Sequence, residues 1–369
     1  MADPNHNIFI SYSRQDAAVV EQLASSLRDA GFLVWLDRWE LMPGARWKNS
    51  IEEAIRAASA VIVCFGQSGT SQWQRGEYQT ALELEALTDQ SKVLIPILLP
   101  GADPQALPID LSGRVWVDLR RGIDDKRGLS RLFAALQTID TGNEIAREER
   151  TGDTLVEVGE LTTAVSHFER ALRIARATYG SRHPKIAGLL MKVAAGKQRV
   201  GDLVAARTLL EESLEISSST WGRDSTEAAS TLNNLASVLR DQGDLSAARM
   251  LFEEALAIDR RALGPEHPTV ANRLNNLGSV LRDQGDLSAA RTLFEEALAI
   301  DRRALGPGHP SVAITLNNLA SLFVKSGATV DALRAYREAY TILSEILGPA
   351  HPWSRAVLTN LESINNDTS

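Results

Sequence analysis

Trp73 and Glu77 stand four residues apart in the run SQWQRGE at 71–77. On a helix this spacing puts both on one face, one turn from each other. The run follows an apolar stretch, residues 60–65, that reads as a buried strand, with Gly66 to Gly69 as the turn between. A carboxylate in the first turns of a helix, at the C-terminal edge of a sheet, sits where open α/β folds bind ligands. Spacing alone favours a plainer reading, with Trp73 in the core and Glu77 as a solvated acid. Other chemistry is scarce. Cys64 is the single cysteine and lies inside an apolar strand, so it reads as a small core residue and excludes an internal disulfide or a cysteine-based metal site. No His/Asp/Glu cluster has metal-ligand spacing, and no GxxxxGK[ST] loop occurs to cradle a nucleotide phosphate.

The elements that would carry Glu77 can be followed in order. Residues 7–11 (NIFIS) form a short β-rich run, and 16–30 follow with helical spacing of Val19, Val20, Leu23 and Leu27. Gly31 stops that helix, 32–36 is a second strand, and 37–47 is a loop broken by Pro43-Gly44. A helix at 51–58, the strand at 60–65, a helix at 71–87, strands at 93–98 and 114–119 and a closing helix at 129–136 complete the unit. Nearly all-apolar strands alternating with helices predict a parallel sheet covered on both faces, a doubly wound α/β domain over 1–137. A polar stretch at 138–144 reads as the linker to the remainder, 145–369.

That remainder repeats itself. Glycines recur at 159, 201, 243, 285 and 327, and again at 180, 222, 264, 306 and 348, each 42 residues apart. A fixed period of this length predicts an all-α solenoid of two-helix units. Five repeats fit, the first and last degenerate, followed by a capping helix over 352–364. His183, His267, His309 and His351 each precede a proline at one point of the repeat, with Ser225 in the same register. That is a helix-start signature and not a metal or catalytic site. The pairs Asn233-Asn234, Asn275-Asn276 and Asn317-Asn318 also recur at 42. They have two readings: donors and acceptors lining a groove that grips an extended peptide, or ties between neighbouring helices.

The chain of 369 residues carries a net charge of −8, near −4 in each part, and has 44% hydrophobic and 23% charged residues. No basic block is present, which argues against nucleic acid as a partner. No apolar run reaches the ~18 residues of a membrane span, and the N-terminus MADPNHN is polar, so the expectation is a soluble, cytoplasmic protein.

Several motifs in order carry a resemblance. FISYS at 9–13 followed by Asp16 is similar to the opening strand and helix of a Toll/interleukin-1 receptor (TIR) domain. VWLD at 34–37, with Leu41, Pro43 and Gly44, resembles the second strand and the BB loop, and WKNSIEEAIRAASAVIVCF at 47–65 resembles the next helix and strand of bacterial TIR domains. Glu77 then falls where NAD-cleaving TIR domains carry their catalytic glutamate. Over about 145–364 the recurring G-D-L…A…F-E-E-A-L pattern resembles tetratricopeptide repeats (TPR) of the kinesin-light-chain-like type, a superhelical solenoid.

The resemblance implies an NAD+ glycohydrolase with NAD+ as substrate and no cofactor or metal, releasing nicotinamide with ADP-ribose or cyclic ADP-ribose. Its catalytic residue would be Glu77. Tyr12, Ser13, Arg14 and Asp37 would border the nucleotide, and Trp47, Trp73 and Trp39 are candidates to stack on its rings. One carboxylate could suffice. Nicotinamide departs neutral from a cationic pyridinium, so no general acid is required, and the remaining demand is to stabilise an oxocarbenium-like ribose. The resemblance further implies TIR–TIR self-association through 37–47, a homo-oligomer, and TPR repeats that sense a peptide or protein ligand, in bacterial antiphage immunity. The competing reading is a non-enzymatic TIR–TPR scaffold that acts by protein–protein contact, in which Trp73 and Glu77 are coincidental.

Overall fold

The computed structural model describes residues 8–37, 47–67, 72–87 and 93–367. Its residues divide into two compact units, at 148/149.

In the first unit the strands are β1 (Ile8–Ser11), β2 (Val34–Trp35), β3 (Ala60–Phe65), β4 (Val93–Leu98) and β5 (Val117–Asp118). The helices are α1 (Ala17–Asp29), α2 (Trp47–Ala57), α3 (Gln72–Leu87), the short α4 (Ile109–Ser112) and α5 (Lys126–Glu157). Every strand pair is parallel, and the order is β2-β1-β3-β4-β5. Strand alternation sorts the apolar runs onto two faces. Ile8, Ile10, Ile62 and Cys64 pack with Val20, Leu23 and Leu27 of α1 and Leu132 and Leu136 of α5. Phe9, Val61, Val63 and Phe65 pack on the other side with Ile51 and Ile55 of α2 and Tyr78 and Ala81 of α3. Each fully buried aliphatic side chain stabilises the unit by about 1.5–3 kcal/mol. This is the doubly wound α/β fold expected. The chain leaves β1 toward β2 on one side and β3 toward β4 and β5 on the other, so β1 and β3 flank the point where strand order reverses.

Three expectations shift. Residues 32–36 narrow to the two residues of β2, and 114–119 to the two of β5. Both are edge strands, paired along one side only, which shortens the ladder. The polar stretch 138–144 lies within α5, which is helical for 32 residues, and the division between units falls after Glu148.

The second unit is a run of antiparallel helix pairs. The end of α5 is followed by α6 (Leu161–Tyr179), then α7 (Pro184–Arg199) with α8 (Leu203–Trp221), α9 (Thr226–Asp241) with α10 (Leu245–Leu263), α11 (Pro268–Gln284) with α12 (Leu287–Ala304), α13 (Pro310–Lys325) with α14 (Thr329–Leu347), and a closing α15 (Pro352–Asp367). All ten glycines of the two periodic sets have positive φ, among them Gly285 at +91° and Gly306 at +90°. An L side chain there would be strained, so glycine recurs where each helix must stop. The helices start as the sequence indicates: His267 Nδ1 accepts the Thr269 N–H at 3.1 Å with Pro268 in the first turn, and His183, His309 and His351 do the same. In the one repeat without histidine, Ser225 Oγ caps Ala228 N–H.

Candidate active site

Glu77 lies on α3 and is 9% exposed, and its Oε2 accepts a hydrogen bond from Ser11 Oγ at 2.6 Å. Ser11 ends β1 and is fully buried. The contact joins residues 66 apart in sequence across the reversal point of the sheet. Gln74, one turn earlier on the same face of α3, is also fully buried, and its Nε2 donates to the Cys64 carbonyl at 2.6 Å. Helix α3 is thus pinned to the end of β3, while Tyr78 anchors it to the core. Glu77 is held at the carboxyl edge of β1 and β3, where open α/β sheets bind ligands.

The residue after Ser11 points the other way along the strand, and Tyr12 OH donates to Asp37 Oδ1 at the end of β2. Ser11, the last residue of β1, and Tyr12 after it therefore reach to α3 and to Asp37 beyond β2. Ser13 is buried and opens the 3₁₀ turn Arg14–Asp16. Arg14 is exposed and has no ion pair among the described residues. Tyr12 meets Asp37, and Ser11 meets Glu77, at the carboxyl end of β1. Trp39 and the side chains of Trp47 and Trp73 lie outside the described residues, as does most of 37–47.

Three neighbours escape the sequence reading. Ser11 is a hydroxyl in an otherwise apolar strand, and Gln74 sits inside the Trp73–Glu77 window; both signals were available. The third is Asp16. Its carboxylate accepts the Gly66 N–H, and burial raises its pKa above the ordinary 3.8 while that hydrogen bond opposes the shift. A Cβ on Gly66 would stand 2.0 Å from Asp16 Oδ1, so any side chain there must displace the Asp16 carboxylate. Asp16 Oδ2 is buried without a partner among the described residues. Cys64 is fully buried, and burial followed by the charge of Asp16 pushes its thiol far up, so it stays protonated and is no nucleophile.

The recurrent asparagines form ties between repeats. Asn276 Nδ2 donates to Asn233 Oδ1 at 2.8 Å, and Asn318 Nδ2 to Asn275 Oδ1 at 3.4 Å. Asn360 on α15 continues the pattern onto Asn317 at 3.5 Å. Asn275 Nδ2 also donates to Thr315 Oγ1 at 2.6 Å, while Asn234 meets its neighbour Asn233. Asn233 and Asn275 are each only 7% exposed. These bonds link neighbouring repeats.

The family model for the tetratricopeptide repeat matches residues 149–219, 185–261, 227–303 and 274–345, and that for the TIR domain matches 8–133. The chain belongs to the tetratricopeptide-repeat family and carries an N-terminal TIR domain. Within the TIR domain it is similar to the NAD(+) hydrolase PdTIR of Paracoccus denitrificans (strain Pd 1222), 33% identical over 93 residues, which are 25% of this chain and 31% of that protein. The match spans about a third of that relative's length. Among solved structures, BtubC (BKLC) from P. vanneervenii is 23% identical with a TM-score of 0.46, covering 59% of this chain and 94% of its own. A thermophilic TPR protein of Thermus thermophilus, TTC0263, is 19% identical with a TM-score of 0.44, covering 60% and 98%. Among the described residues no group of three His, Cys, Asp or Glu side chains is placed to hold a metal ion, and no helix is long and apolar enough to cross a membrane.

Proposed function

We propose that the TIR domain is an NAD+ glycohydrolase with Glu77 as its catalytic carboxylate. The observation that carries this reading is the buried Glu77, oriented by Ser11 Oγ at 2.6 Å beside the reversal point of the sheet. Its likeness to an NAD(+) hydrolase supports the same substrate. In the reaction the bond from ribose C1′ to the pyridinium nitrogen breaks, and its electron pair neutralises the ring. Nicotinamide leaves uncharged, so proton donation is not required. The positive charge left on the ribose is stabilised by the Glu77 carboxylate, which Ser11 holds in one orientation and which is largely withdrawn from water. Water then attacks C1′ and loses its proton, giving ADP-ribose; internal attack by the adenine gives the cyclic product.

We further propose that self-association of TIR domains completes the site, that the repeats govern this assembly in response to a protein ligand, and that NAD+ loss serves bacterial defence. Incubating the full chain with NAD+ over a series of protein concentrations, with nicotinamide and ribosyl products separated, tests the reading. Nicotinamide release whose rate per molecule rises with concentration is expected. Assembly without any nicotinamide at any concentration would favour the scaffold instead.

A further inference from the structure

The second unit contains a cavity of about 500 Å³ between α7, the end of α8 and the start of α9. At several lining positions the sequence departs from the register of the later repeats. Gly188 stands where those of the later repeats are Ser230, Asn272 and Ile314, and nothing lies within 4 Å of a Cβ built on it. Met191-Lys192 replaces the asparagine pair, so the inter-repeat asparagine ladder stops at Asn233. Ser217 occupies the register of the buried Asp259 and Asp301, and Trp221, 44% exposed, that of Leu263 and Leu305. Glu227 takes the position of Thr269 and Ser311. The volume of the opening lies in the range of ligand sites.

The charges on the lining indicate what would fill it. Lys185 is paired with Glu149 at 2.6 Å, and Lys192 with Asp153 at 2.7 Å. Glu227 meets only the Thr226 hydroxyl, at 3.2 Å, and no cation among the described residues. The uncompensated charge on the lining is therefore negative, and it stands with a half-exposed indole and the Met191 thioether. An unpaired carboxylate and an aromatic face favour a cation on an apolar stem. We infer that this cavity receives the arginine or lysine side chain of a protein partner, flanked by apolar residues. The inference is independent of any activity of the TIR domain.

The test uses the full chain labelled with 5-fluorotryptophan, the Trp221 signal being identified with Trp221→Phe. The probes are blocked Leu-Arg-Leu, its isosteric citrulline counterpart and Leu-Glu-Leu. The arginine probe should shift the Trp221 signal and bind about tenfold tighter than the citrulline one, as expected of a cation–π contact with one solvent-exposed ion pair to Glu227. Glu227→Gln should cut that preference to about threefold or less. Gly188→Leu removes a helix-interior glycine and so should not destabilise α7, yet by filling the cavity it should weaken the arginine probe at least about tenfold. Equal binding of arginine and citrulline, tighter binding of the glutamate probe, a silent Trp221 signal or indifference to Gly188→Leu would each overturn the inference.

Discussion

Replacing Ser11 by alanine isolates what orientation contributes to the Glu77 site. The hydroxyl is fully buried and donates to Glu77 Oε2 at 2.6 Å. A hydrogen bond to a charged group is worth about 1.5–3 kcal/mol. If that energy holds the carboxylate where charge develops on the ribose, its loss lowers kcat by about 10- to 150-fold. KM should change little, because Ser11 touches Glu77 and not the bulk of the nucleotide. Stability should fall by about 1–3 kcal/mol, since the buried Glu77 Oε2 loses the Ser11 donor. The assay is nicotinamide release at saturating and limiting NAD+, beside a thermal melt. A folded Ser11→Ala protein with kcat within about twofold of wild type would refute the claim that Ser11 positions the catalytic carboxylate.

Gly66→Ala drives a methyl group to 2.0 Å from Asp16 Oδ1, and should cost about 1–3 kcal/mol in a denaturant titration. The double variant with Asp16→Ala should recover part of that loss, and strict additivity would reject the contact. In the solenoid, Arg273 Nε is 2.8 Å from the fully buried Asp259, whereas in the next repeat Asp301 accepts from Thr315 at the corresponding position. Arg273→Ala should therefore cost about 3–5 kcal/mol by stranding a buried charge, and Arg273→Thr clearly less; equal losses by calorimetry would refute this. Burial raises the Asp301 pKa above 3.8, with Thr315 opposing, so the folded state holds this proton more tightly than the unfolded chain. Its contribution to stability is complete below 3.8 and is lost as pH rises through the folded value. Asp301→Asn should thus melt higher than wild type at neutral pH, and the gap should close on acidification; a gap that widens in acid would contradict the sign.

What the sequence disclosed followed from how strictly physics constrains each position. The ten periodic glycines were legible because helix ends at positive φ leave few alternatives. The histidine caps were legible because a following proline marks a first turn. The strands 60–65 and 93–98 were bounded correctly, since a strand buried on both faces must be apolar throughout. Edge strands β2 and β5 carry the same composition into shorter ladders, and Arg114, read as part of a strand, is instead paired with Glu85 of α3. The polar composition of 138–144 suggested a linker, but helices tolerate solvated polar faces, and α5 continues through it. The period of 42 marked the asparagines without revealing that Asn276, Asn318 and Asn360 each donate to an asparagine 43 residues back in the preceding repeat. Ser11 was visible as a hydroxyl in an apolar strand, yet its partner 66 residues on emerges only when α3 is laid across the end of the sheet.

The central claim is that the Glu77 carboxylate performs the chemistry. Nicotinamide release by the full chain at high concentration should be measured for wild type beside Glu77→Ala, with melts to establish that both are folded. Release by wild type and a rate at least about 100-fold lower in the variant are expected. Equal rates in two folded proteins would contradict it.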